Sequence, residues 1–154
     1  LTIETMNEMN ITRFAQMTQK TNQFNLTTKR YTETDLKNLA ANGARIFGLR
    51  VKDRFGDNGL TGLCITSPPT PLQNERGVVI DTFLLSCRIL GKGIENAFLQ
   101  YVLMKLKEEG VKTVSAKYIK TLKNSQVADF YEKNGFTLEN SDEEIKNYLL
   151  SLQK

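Results

Sequence analysis

Arg88, Gly91, Lys92 and Gly93 follow the order R-x-x-G-x-G, after the apolar, β-branched run Val78 to Leu85 and before a helix-like pattern from Gly93 to Glu109. These residue types in this order suit an anion. Glycines at 91 and 93 let the backbone turn sharply and approach a ligand closely, because no Cβ intervenes. The free N–H groups of a helix start favour negative charge, and Arg88 and Lys92 add cationic side chains beside it. A pyrophosphate is the group such a turn fits. A glycine-rich strand-to-helix turn that binds nothing has the same pattern, and neither the P-loop nor the dinucleotide-binding spacing is present. A second pair carries chemistry further on. Asn124 and Tyr131 are seven residues apart in a run predicted as one helix from Asn124 to Asn134, which puts them two turns apart on one face. A helix N-cap (Asn124) with a core aromatic (Tyr131) is the other reading of that spacing.

Two more residues lie near the glycine turn. Cys87 adjoins Arg88 near a helix start, where a thiolate would be stabilised, or it packs the turn as a small buried residue. Asp81 lies on the strand-like run and is either a general base or a structural carboxylate. Cys64 falls in a core position of an alternating strand pattern.

The elements that must position these residues follow from periodicity. Ile11, Phe14, Ala15 and Met17/Thr18 recur at helix spacing before the polar stretch Gln19 to Thr28. Thr32-x-x-Asp35 resembles a capping box and opens a short helix ending near Asn42-Gly43. The period then changes to two over Ala44 to Phe55, with Gly56-Asp57-Asn58-Gly59 as a hairpin turn and a return strand Leu60 to Thr66. The breaker-rich run Ser67 to Gly77 is expected as a long surface connection. Val78 to Leu85 reads as a buried central strand, and the helix after it, apolar almost all round, is expected inside the fold. Strands at Thr113 to Ile119 and Phe136 to Leu138 follow, and Ser141-x-x-Glu144 is read as a capping box opening a last helix through Leu152. The order predicts one α/β domain, a mixed sheet with helices on both faces.

Composition removes several function classes. The 154 residues contain no His, which excludes Ser-His-Asp and Cys-His hydrolysis and a His-ligated zinc. Two cysteines exclude a four-Cys metal site and a disulfide framework, so no metal is expected. With 40% hydrophobic residues the chain can bury a core. Twenty-one Lys+Arg against 17 Asp+Glu leave +4, a bias too small to demand nucleic acid. No apolar run approaches the about 18 residues of a membrane span, so no membrane partner is expected. Asn10-Ile11-Thr12 and Asn25-Leu26-Thr27 match the glycosylation pattern by chance, and the expected location is cytoplasmic. A chain beginning at Leu1 is expected to be part of a longer protein.

Arg88-x-x-Gly91-x-Gly93 after a central strand, then Asn124 and Phe130-Tyr131-Glu132-Lys133-Asn134-Gly135-Phe136, resembles the GNAT (Gcn5-related) N-acyltransferases. The resemblance implies the GNAT-like fold and an acyl thioester of coenzyme A, or phosphopantetheine, as ligand. It puts phosphate at Arg88, Gly91, Lys92 and Gly93, and a polarising backbone N–H at the strand end Leu85-Ser86. It puts Asn124 on the pantetheine side and makes Tyr131 the proton donor to the leaving thiolate. The polar loop between the first two helices would build the acceptor pocket, with Asn22, Gln23, Asn25 and Arg30 gripping an acyl or carrier group and Phe24 as an apolar wall. Amides that satisfy their own backbone are the alternative there. Arg50, Lys52 and Arg54 on one strand face either meet an acidic carrier protein or a phosphate, or are simply solvated.

A longer similarity is to the C-terminal part of FkbH-like proteins. It rests on Ala15 to Tyr31, Asp53 to Gly59 and Ile80 to Arg88. It implies an acyl carrier protein and a HAD-type phosphatase domain of the same protein as partners, in loading a glyceryl unit for polyketide biosynthesis. The HAD signature is absent from this chain, which the similarity makes the excised GNAT-like domain, either an acyltransferase or a non-catalytic module for carrier docking.

Overall fold

The computed structural model describes residues 2–21, 25–53, 56–67, 70–72, 75–85 and 93–152. In chain order the elements are β1 (Thr2–Thr5), α1 (Ile11–Lys20), α2 (Glu33–Ala41), β2 (Arg45–Asp53), β3 (Gly56–Thr66), β4 (Thr70–Leu72), β5 (Glu75–Leu85), α3 (Ile94–Glu108), β6 (Thr113–Ile119), a 3-10 turn (Ser125–Val127), α4 (Phe130–Lys133), β7 (Thr137–Ser141) and β8 (Ile145–Ser151). The strands form one sheet in the order β1-β2-β3-β5-β6-β8-β7, with β4 paired to β5 off that path. Among the described residues every pairing is antiparallel except β5 with β6.

Each helix is placed by one apolar face. Ile11, Phe14, Ala15 and Met17 of α1 and Leu36 of α2 pack on Ile46, Leu63, Ile65 and Leu84 from one side of the sheet. The capping box that opens α2 is formed, with Asp35 N–H donating to Thr32 Oγ1 at 3.1 Å and Thr32 N–H to Asp35 Oδ2 at 2.9 Å. On the other side Phe98, Leu99, Val102, Leu103 and Leu106 of α3 join Phe47, Cys64, Val78, Phe83 and Tyr131 in the larger core. Helices therefore cover both faces, as the periodicity predicts.

β5 contains one residue too many for its neighbour. Ile65 pairs with Thr82 and Thr66 with Ile80, so Asp81 is the extra residue of a β-bulge. Side-chain parity inverts there: Val78 and Ile80 face the α3 core before it, Phe83 and Leu85 after it. The parallel ladder with β6 runs from Gly77–Thr113 to Ile80–Ala116 and stops at the bulge. Beyond it β5 and β6 continue as the arms of a fork.

Several expectations are corrected. Residues 124 to 134 are not one helix: a 3-10 turn and the four-residue α4 replace it, so Asn124 and Tyr131 are not related by helix periodicity. The last segment is a strand, not a helix. Asp142 Oδ1 accepts from the N–H groups of Glu144 and Ile145, both at 2.8 Å, which reverses the chain so that β8 can pair with β6 and β7. Asp53 pairs with Gly56 and Lys52 with Asp57, placing Gly56 to Gly59 within β3 and not in a turn. Part of the expected surface connection is β4, paired with the start of β5. α3 has an outer face, with Met104 half exposed among the described residues, so it is not enclosed all round. β1, unanticipated from the sequence, adds an edge to β2.

Close packing of α3 on the sheet needs Gly62. A Cβ there would lie 2.8 Å from Leu85 Cδ2, 3.0 Å from Leu49 Cβ and 3.2 Å from Phe98 Cε2. Gly62→Ala is expected to destabilise the fold by about 1–3 kcal/mol through overpacking. Urea unfolding measures this, and an unchanged midpoint would contradict the packing described.

Candidate functional site

The fork between β5 and β6 exposes backbone groups that must find partners, since an unpaired buried amide costs as much as a lost hydrogen bond. The chain supplies some of them itself. Leu26, in the connection between α1 and α2, donates its N–H to Phe83 O of β5 (3.2 Å), and its carbonyl accepts from Ile119 N–H of β6 (2.7 Å). Thr27 Oγ1 donates to Asp81 O at 2.9 Å. Leu26 is fully buried and its side chain joins the α3 core. Residues 25–27 thus form a strap across the fork. Pulling it out would expose a leucine, worth about 1.5–3 kcal/mol, and break hydrogen bonds worth about 0.5–1.5 kcal/mol each, so the strap belongs to the folded core.

Asn124 fastens that strap. Its Nδ2 donates to Asn25 O and to Ile119 O, each at 2.9 Å. Its Oδ1 accepts from Thr121 N–H at 2.8 Å and Tyr118 O–H at 3.1 Å. Asn25 is equally engaged: Nδ2 donates to Thr21 O and Oδ1 accepts from Thr28 N–H. Arg30 donates to Thr18 O and Thr21 O at the end of α1. Both asparagines of the glycosylation-like patterns, Asn10 and Asn25, are buried.

Asp81 sits at the bulge with its carboxylate shared. Lys29 Nζ lies 2.6 Å from Oδ1, while Tyr31 O–H (2.5 Å) and Thr82 O–H (3.0 Å) donate to Oδ2. Burial, then this hydrogen bond, hold the Tyr31 phenol well above the ordinary tyrosine range. Lys29 and Tyr31 are functional candidates that sequence reasoning missed. They lie 52 and 50 residues from Asp81, and no local pattern encodes that contact.

Tyr131 lies deeper, 1% exposed, among Phe130, Phe136 and Tyr148, with ring centroids 5.0–5.6 Å away. Its phenol oxygen is buried and has no hydrogen-bond partner among the described residues. Burial pushes its ionisation well above the ordinary range, and the charges of Cys64, Asp81 and Tyr148 push it the same way. α4 is a single turn without a side-chain cap, so neighbours must hold it. Tyr148 O–H donates to Glu132 Oε1 at 2.7 Å, and Lys146 Nζ lies 3.8 Å from the same oxygen. Tyr148 and Glu132, 16 residues apart, and Tyr118, which donates to Asn124, were also missed.

Of the remaining sequence candidates, Leu85 is fully buried opposite Gly62. Gly93 precedes α3 in the left-handed region (φ 75°), with open space where a Cβ would stand. That conformation and that space suit a turn that closes on a ligand. Arg50 is ion-paired with Glu4 of β1. Ser86, Cys87, Arg88, Gly91, Lys92, Asn22, Gln23, Phe24 and Arg54 lie outside the described residues. Among the described residues no group of three Cys, Asp or Glu side chains is placed to hold a metal ion, and no helix is long and apolar enough to cross a membrane.

No family model and no curated protein matches the chain. Solved structures do match along its whole length. The ribosomal-protein-S18-alanine N-acetyltransferase from Escherichia coli superposes with a TM-score of 0.72 at 13% identity, covering 99% of this chain and 94% of that one. The GNAT domain of S. lividans PAT gives 0.72 at 11% identity, covering 97% and 89%. The spermidine N-acetyltransferase of Vibrio cholerae, solved with CoA and spermine, gives 0.69 at 15%, covering 97% and 94%. The chain has the GNAT acetyltransferase fold. At these identities the likeness establishes the architecture alone.

Within this GNAT fold the phenols of Tyr31, Tyr118, Tyr131 and Tyr148 and the Cys64 thiol all have raised ionisation, each chiefly by burial. The neutral form is favoured in the folded state, so the unfolded chain loses these protons first. Their contribution is complete below the unfolded values of 9.0 for Cys and 10.0 for Tyr and is lost as pH rises beyond them. The urea midpoint is expected to be flat from about pH 7 to 8.5 and to fall steeply above about pH 10, less steeply in Tyr131→Phe. A midpoint independent of pH up to 11, in wild type and variant alike, would contradict the burial of these groups.

Proposed function

We propose that this chain is an acyltransferase domain that binds an acyl thioester, of coenzyme A or of carrier-protein phosphopantetheine, in the β5–β6 fork. The observation that carries the proposal is the Tyr131 phenol, buried, protonated at neutral pH and without a partner among the described residues. A buried hydroxyl left unpaired costs about 1–3 kcal/mol, so its retention beside the fork calls for a ligand atom as partner. Gly93 at the head of α3, left-handed and with open space where a Cβ would stand, supports phosphate binding there together with Arg88, Gly91 and Lys92. The structural neighbours solved with CoA support the same ligand class.

An acyl thioester bound there supplies an electrophilic carbonyl and a sulfur leaving group. The residues of this chain do the rest. Tyr131 holds a proton at a buried phenol and returns it to the sulfur, with its raised ionisation keeping it loaded across the physiological range. The backbone N–H at the Leu85 end of β5 would face the developing negative charge. Asp81 at the bulge is the acceptor-side carboxylate, held in place by its ion pair with the Lys29 ammonium.

The finer reading rests on the FkbH-like sequence similarity. In it, this chain is the GNAT-like domain of a longer cytoplasmic protein, works beside a HAD-type phosphatase domain, and receives or loads a glyceryl unit on an acyl carrier protein. The second reading is a non-catalytic module that docks the carrier for that phosphatase domain. It draws support from Asn124 and Asn25, whose side chains are already engaged within the protein.

Tyr131→Phe is expected to lower turnover about 10²-fold or more while leaving affinity for acetyl-coenzyme A nearly unchanged. Calorimetry and a thiol-release assay measure the two quantities. Equal loss of both removes the proton-donor role. Binding of the carrier protein alone, without the free thioester, favours the docking module.

A further inference from the structure

We infer that Asn124 is a positioning residue for the acceptor-side wall of the fork, acting through the 25–27 strap and not through contact with the thioester arm. The inference rests on the acyl-transfer reading of the site. A primary amide can donate twice and accept twice. Asn124 does all four inside the protein: Nδ2 to Asn25 O and Ile119 O, Oδ1 from Thr121 N–H and Tyr118 O–H. The side chain cannot be turned over, because Oδ1 would then face two carbonyls. It is also fully buried. An arm lying along the fork finds no free donor or acceptor on it.

What Asn124 holds leads to the acceptor side. The described residues between α1 and α2, 21 and 25–32, have no helix or extended strand of their own, so their course depends on contacts from elsewhere. Asn124 reaches them from beyond β6, across 99 residues of sequence. The next links are Asn25 Oδ1 to Thr28 N–H, Thr27 Oγ1 to Asp81 O, and Lys29 and Tyr31 to the Asp81 carboxylate. Thr28 stands at φ 52°, a left-handed conformation that a β-branched residue avoids. Strain of this kind persists only where surrounding contacts over-determine the backbone, and the Asn25 and Asn124 bonds are those contacts. The strap therefore has one imposed path. That path delivers Lys29 and Tyr31 to the carboxylate nearest the acceptor.

Three readouts on Asn124→Ala test this. Amide hydrogen exchange at Leu26 and Ile119, the two donors of the strap, is expected to accelerate about tenfold or more. Tyr31 ionisation, isolated as the difference from the Asn124→Ala/Tyr31→Phe double variant in tyrosinate absorbance, is expected to move down toward the ordinary value as the Asp81 contact loosens. Acetyl-coenzyme A affinity by calorimetry is expected to change less than about twofold. Thr27→Val loosens the same strap without touching Asn124 and is expected to reproduce the first two effects, which keeps the test valid if Asn124→Ala does not fold. Affinity weakened about tenfold or more with exchange and Tyr31 ionisation unchanged would overturn the inference and make Asn124 an arm contact. Failure of the wild-type chain to bind acetyl-coenzyme A would instead count against the acyl-transfer reading, while the exchange and Tyr31 results still decide whether Asn124 holds the strap.

Discussion

An extra residue in a strand cannot be absorbed by both neighbours, and Asp81 is that residue in β5. The antiparallel partner β3 follows through a register shift, whereas the parallel ladder with β6 ends one residue earlier, at Ile80–Ala116. Everything at the site depends on this mismatch. It turns Phe83 and Leu85 toward α3. It opens the fork and leaves backbone groups seeking partners, and it sets one carboxylate at the fork's base. The strap answers part of that demand: Leu26 bonds to both arms through its backbone, and Asn25 forms an isolated antiparallel bridge with Leu84.

The two sides of the fork are treated differently. On the strap side, polar groups are matched: Asp81 has Lys29, Tyr31 and Thr82, and Asn124 has four partners. On the α4 side the Tyr131 phenol is buried and unmatched among the described residues. Unsatisfied buried groups are few in folded proteins and each calls for an explanation, a catalytic role among them. α4, too short to orient itself, is fixed by the Tyr148–Glu132 hydrogen bond and by the aromatic cluster around Tyr131. The cost of keeping this phenol dry is met by the surrounding core.

Much of this was legible in the sequence where the signal is local. The β-branched run before R-x-x-G-x-G marked β5, the apolar repeat marked α3, and Thr32-x-x-Asp35 marked the start of α2. The same kind of local match misled at Ser141-x-x-Glu144. There Ile145, Tyr148, Leu149 and Leu152 fit a helix, and the open edge of β6 decided for a strand. Asn124 and Tyr131 were singled out by a helical spacing that does not exist; they flank the fork through tertiary packing. The contacts of Tyr31 and Lys29 with Asp81 left no trace in the sequence, because the bulge that brings them together is a property of strand pairing.

A crystal structure of the chain with acetyl-coenzyme A tests the central claim most directly. The account predicts the thioester in the fork, its sulfur within hydrogen-bonding reach of Tyr131 Oη, its pyrophosphate at the head of α3 beside Gly93, and residues 25–27 still bridging Phe83 and Ile119. A ligand bound elsewhere, or one that leaves the Tyr131 phenol without a partner, would contradict it.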